Sequence, residues 1–131
     1  MAQYIFEKGY QSDSSLIKVK LLLIHFEDEN NVQFIYSPHL DLTGYGDSLS
    51  NAKNSFEIAL EDFVDYTLKK KTIGKVLSGL GWKIKGSRKK PNKVIAPSIT
   101  TVIKDNEYVS EIFDKYSTNT FHQEVGLPSF A

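Results

Sequence analysis

The sequence contains no cysteine, which excludes disulfides, thiolate metal sites and cysteine nucleophiles together. That absence suits a reducing compartment, and the expected location is the cytoplasm. Acidic side chains are missing from a whole stretch, since none occurs between Lys69 and Lys93. Long apolar runs are missing too. The longest, Leu21 to Ile24, falls far short of the roughly 20 residues that a membrane-spanning helix needs, so no membrane association is expected. The N-terminal MAQYIFEKGYQSDSS lacks a basic segment leading into an apolar run and does not read as a secretory leader. Three histidines, His25, His39 and His122, stand far apart and in no metal-ligand spacing. His25 and His122 read as structural histidines, and neither a metal nor a cofactor is expected.

What is present describes a folded chain. Of its 131 residues, 40% are hydrophobic and 12% aromatic, which separates it from disordered sequences and is enough for one domain with a real core. Sixteen basic residues balance sixteen acidic ones. The balance hides a division: Lys69, Lys70, Lys71, Lys75, Lys83, Lys85, Arg88, Lys89, Lys90 and Lys93 crowd into the stretch without acids, leaving the remainder acidic.

Leu16 to Phe26 begins by alternating, with Ile17, Val19 and Leu21 opposite Lys18 and Lys20, then turns apolar on both sides. This predicts a strand that grows more buried along its length. Glu27 to Asn31 is a polar turn, and Val32, Phe34 and Tyr36 repeat at period two, completing a hairpin. Tyr4 to Phe6 is a further candidate edge strand. Pro38, Gly44 and Gly46 interrupt the pattern and leave room for a short third strand around Leu40 to Tyr45. Gly44-x-Gly46 is too short for a phosphate loop and reads as a turn. Ser48 is placed to cap a helix, with Asp47 at its positive end, and Ala52, Phe56, Ala59, Leu60, Phe63, Val64 and Thr67 form one continuous helical stripe.

Beyond the lysines at the end of that helix, Thr72 is the expected cap of a short second helix carrying Ile73, Val76, Leu77 and Leu80, and Gly81 its stop. Trp82 to Lys85 alternates like a strand, and Val94 to Ala96 is its expected returning partner across a charged turn. Ser98 is placed to cap a turn bearing Ile99, Val102 and Ile103. Tyr108, Val109, Ile112, Phe113 and Tyr116 outline a last helix, and Thr120 to Leu127 is extended. The expected architecture is a single α+β domain over 1–131, an antiparallel sheet of about three strands packed on one long helix within 1–71, with a helix-and-hairpin extension over 72–131.

The series strand, turn, strand, Pro38-x-Leu40, Gly46-Asp47-Ser48-Leu49-x-x-Ala52, long helix to about Tyr66 resembles the HicB antitoxin family. Each residue has a physical reason to be there, since Gly46 permits a turn, Ser48 caps and Ala52 allows close packing on the sheet. The resemblance implies a compact sheet-and-helix domain that binds and neutralises a small HicA-like toxin that cleaves RNA. Many family members also carry a C-terminal DNA-binding unit. Here Gln123 to Pro128 resembles the strand that opens a ribbon-helix-helix, but only three residues follow it, so operator binding of that kind is not expected.

No residue pattern points to catalysis. The loop carboxylates Asp41 and Asp47 could approach each other as a catalytic pair would, but Asp47 already serves the helix start. A non-enzymatic binding protein, homodimeric through exposed sheet edges, is therefore the expected class. The alternative is a nucleic-acid-binding module in which Lys83, Lys85, Arg88, Lys89, Lys90 and Lys93 neutralise phosphates and Trp82 stacks on a base. Against it stands the plainer possibility of a solvated hairpin over a core tryptophan.

Overall fold

The computed structural model describes residues 16–86 and 91–128, and the candidate strand Tyr4 to Phe6 lies outside them. The elements in order are β1 (Leu16–Glu27), β2 (Gln33–Ser37), β3 (Leu42–Gly46), α1 (Leu49–Lys69), α2 (Ile73–Gly79), β4 (Lys83–Gly86), β5 (Pro91–Ile95), α3 (Ile99–Lys104), α4 (Glu107–Lys115) and β6 (Thr118–Pro128). The fold is α+β. A four-strand antiparallel sheet in the order β3-β2-β1-β6 carries the long helix, and β4 and β5 form a separate hairpin. The extended C-terminal segment is thus the fourth strand of the main sheet. None of the described helices is long and apolar enough to cross a membrane. The chain forms two compact units, one of residues 22–60 and 98–122 and the other of 61–97 with the chain ends up to 21 and from 123.

In the first unit the register of β1 with β2 pairs Ile24 with Tyr36 and Phe26 with Phe34, which sets these four side chains on one sheet face. That face receives α3 and α4: Ile24, Phe26, Tyr36, Val109 and Ile112 make one buried cluster, with Phe34, Ile103 and Tyr116 packed against it. The opposite face, which includes Ile35 and Gly44, receives the first half of α1 through Ala52 and Phe56. A strand covered on both faces needs apolar residues at every position. This is why Leu22, Leu23 and Ile24 are all buried and why alternation fades along β1.

The β1–β2 turn is held by Asp28, whose Oδ1 accepts from the amides of Asn30 and Val32, both at 2.9 Å. Ser98 and Asn106 have extended backbones, and their side chains accept from the amides of Thr101 and Val109 to cap α3 and α4.

In the second unit, Val64, Thr67, Ile73, Leu77 and Trp82 are buried, and α2 packs on β4. Helix α1 ends with Lys71 in the left-handed region (φ 60), where glycine is usual, while the amides of Lys71 and Thr72 return to the carbonyls of Leu68 and Thr67. Gly81 (φ 94) ends α2 in the same way, with its own amide on Ser78 and that of Trp82 on Leu77. Thr72 does not cap α2 with its side chain. Its ψ of 3 keeps the backbone turning instead of extended, and no cap hydrogen bond forms.

Candidate binding surfaces

The glycine pair does not form a turn. Gly44 and Gly46 lie in β3, and neither has a positive φ. Both are needed because α1 passes very close: a Cβ at Gly44 would sit 2.2 Å from the backbone nitrogen of Phe56 and 2.7 Å from the carbonyl oxygen of Ala52. At Gly46 it would meet Asn51 Cβ at 2.6 Å. The junction is finished by Ser48, whose Oγ accepts from the amide of Asn51 at 3.0 Å, and by Asp47, whose carboxylate accepts from the Asn51 side-chain amide. The residues of the sequence motif therefore divide. Pro38, Leu40 and Ala52 are buried and hold the sheet and helix together, whereas Asp47, Ser48 and Leu49 are exposed.

Among the described residues, sheet order leaves β3 and β6 as the two edges. On β3 the amide of Tyr45 donates to Ser55 Oγ of α1 at 3.1 Å, so Thr43 and Tyr45 turn their backbone groups outward and one outward donor is already occupied. Asp41 and Asp47, both exposed, flank this edge. Its side chains end a row of aromatic rings that crosses the sheet. Tyr116 stacks on Phe26 at 4.9 Å, Phe26 on Phe34 at 5.0 Å, and Phe34 meets Tyr45 at 6.1 Å. Tyr45 stands 63% exposed at the end of the row. The β3 edge is thus a short acidic rim around a protruding phenol, anchored from behind by stacked rings.

The turn before β3 is tied down by a second phenol. Tyr36 donates its O–H to Asp41 Oδ1 at 2.8 Å and accepts from the side-chain amide of Asn106 at 3.0 Å, with Tyr108 edge-on at 4.8 Å. Burial is the main reason its pKa is pushed up to about 12, with Asp41 adding to the rise and the Asn106 hydrogen bond opposing it. Asp41 and Asp47, weighed from sequence as a carboxylate pair, are engaged by different partners, Tyr36 and Asn51.

On β6 the arrangement is different. Asn119, Thr120 and His122 are exposed, Phe121 is half-buried, and Lys53 of α1 sets its ammonium over the Phe121 ring at 5.6 Å from the centroid. Among the histidines, His25 donates through Nε2 to Gln33 at 2.7 Å, and buried His39 accepts from the Leu22 amide through Nδ1 at 3.4 Å. His122, read from sequence as a structural histidine of the terminal segment, is exposed on β6.

The basic hairpin forms as expected: β4 pairs antiparallel with β5, matching Lys83 with Ile95 and Lys85 with Lys93, with a bulge at Lys85 and Gly86. Lys83 and Lys85 are exposed. Trp82 is only 3% exposed, so its ring is core and offers no surface to a base. Arg88, Lys89 and Lys90 lie outside the described residues, as does the side chain of Lys93. No group of His, Asp and Glu able to hold a metal occurs among the described residues.

Sequence alone did not single out Ser55 or Asn106, and it placed Tyr45 at the end of the expected third strand without giving it a role. No family model matches the chain, and neither a curated protein nor a solved structure matches it.

Proposed function

We propose that this chain is a non-enzymatic binding protein of the HicB antitoxin kind, which neutralises a small, basic HicA-like RNA-cleaving toxin by docking it on the β3 rim. The observation that carries this reading is the exposed ring of Tyr45 on β3, a strand with an exposed aspartate, Asp41 or Asp47, just beyond each end. Tyrosine offers a large rigid contact at little entropic cost, and interface hot spots are enriched in it. Flanking carboxylates steer a basic partner and fix its register. The resemblance of the Gly46 to Ala52 segment supports the same reading, because those residues build the β3–α1 junction, on which Asp47 and Leu49 are exposed.

The test is a native-tagged pull-down at low and at high salt. A small basic protein that survives the high-salt wash and cleaves RNA once released supports the reading. A second reading keeps one observation in its favour, the exposure of Lys83 and Lys85 on β4. It requires nucleic acid in the pull-down that leaves steeply with salt and is lost when Lys85, Arg88 and Lys89 are replaced by Ala.

A further inference from the structure

The second half of α1 carries an aromatic ring on its solvent side. Val64 and Thr67 are buried there, whereas Asp62, Asp65, Tyr66 and Lys69 are exposed. Tyr66 is 63% exposed, although a tyrosine needs only its hydroxyl in water. The helical turn continues as far as exposed Lys70, whose amide donates to the Tyr66 carbonyl at 3.0 Å. Residues four apart are neighbours on a helix surface, so Asp62, Tyr66 and Lys70 make one oblique row. An anion stands one turn before the ring and a cation one turn after it, and the Lys70 ammonium lies 5.9 Å from the ring centroid.

We propose that two copies of this chain associate through this row, their α1 helices antiparallel about a twofold axis at Tyr66. A twofold contact must be complementary to itself. Reversal about Tyr66 turns the order anion, ring, cation into cation, ring, anion. Asp62 of each copy therefore meets Lys70 of the other, and the two rings meet at the axis. A crossing angle of about −50°, the commonest class of helix packing, lays two such rows parallel. The same register sets Glu61 toward Lys71, Asp65 toward Thr67 and Lys69 toward Phe63, so no like charges are opposed between 61 and 71. Opposite charges fix register and orientation, and tyrosine supplies rigid contact at low entropic cost. A partner of one charge sign would be repelled at one end of the row, which is what selects a second copy of this chain. Self-association is thereby placed on α1 instead of on the sheet edges. This inference is independent of the antitoxin reading and uses none of its residues.

The experiment is light scattering on the full chain, residues 1–131, over a concentration series reaching the high micromolar range. The mass is expected to climb toward twice that of the chain. Asp62→Lys opposes lysine to lysine twice and Lys70→Asp opposes aspartate to aspartate twice, and each is expected to weaken the dimer roughly tenfold or more. Positions 62 and 70 stand about 12 Å apart along one helix, so an effect within a single chain is not repaired by exchanging them. The swap Asp62→Lys, Lys70→Asp restores both opposite pairs, and an equimolar mixture of the two single variants restores them between unlike chains. Both are expected to recover the wild-type association. A wild type that stays monomeric throughout the series overturns the proposal, as does a dimer that neither single variant weakens. Weakening without recovery in either the swap or the mixture would overturn the register at Tyr66.

Discussion

Edges β3 and β6 belong to one sheet and have opposite chemistry. At β3 one outward backbone donor is engaged by α1 and an aromatic side chain reaches out. Gly44 and Gly46 bring the helix so near that Ser55 reaches the outward amide of Tyr45, whose ring is exposed on a strand with an exposed aspartate just beyond each end. At β6 the stretch from Thr118 to His122 carries no carboxylate, lysine or arginine of its own, and Lys53 of α1 stands over the Phe121 ring. An edge with an engaged outward amide and a protruding ring recognises more by side-chain shape and charge than by strand addition. That difference is why the proposed docking site is put on β3.

The comparison breaks most severely at Gly44. In Gly44→Ala the new methyl has only helix backbone to meet, and overpacking of this kind is expected to cost about 3 kcal/mol or more, read as a lower urea midpoint. The β6 edge has no equivalent constraint, so Thr120→Ala should shift the midpoint little.

Alkaline pH loosens the β3 side next. Because the Tyr36 phenol rises from 10.0 to about 12 in the fold, the native state holds that proton more tightly than the unfolded chain. Its contribution is complete below about pH 10 and is lost as pH climbs through 12, a loss on the order of 2 kcal/mol. Unfolding followed across that window should show a falling stability that Tyr36→Phe largely removes.

Ser48→Ala removes the cap at the β3–α1 junction and is expected to cost about 1 kcal/mol. Thr72→Ala is the control, with almost no effect expected, because Thr72 makes no side-chain cap bond. The smallest effect is the most informative about the edges. Ser55→Ala should cost roughly 0.5 kcal/mol and make the Tyr45 amide exchange faster, while amides of 118–122 keep their rates.

Much of the architecture was legible because hydrophobic period reports which faces are covered. The stripe from Ala52 to Thr67 is the buried side of α1, the alternation of Phe34 and Tyr36 places one sheet face, and the loss of alternation in β1 marks a strand covered twice. Period does not report what lies on the other side. The pairing of β6 with β1 joins residues about a hundred positions apart, and no local signal announces it. Glycine is ambiguous for a related reason: the residue that permits a turn is also the one that lets a helix approach a strand, and only the position of α1 decides for Gly44 and Gly46. Thr72 and Ser98 look alike as caps in sequence and differ in the backbone angle that aims the hydroxyl. Of the motif residues Asp47 and Leu49 are exposed, whereas Trp82, the candidate base-stacking residue, is held in the core.

The most direct measurement compares the wild type with Tyr45→Ala, Asp47→Lys in capture of the small basic RNA-cleaving protein, with the mass of each eluted complex determined. The wild type is expected to retain that protein through high salt and to silence its cleavage of RNA. The double variant should lose the partner while its own mass stays that of the wild type. Equal retention by both chains would contradict a β3 docking site.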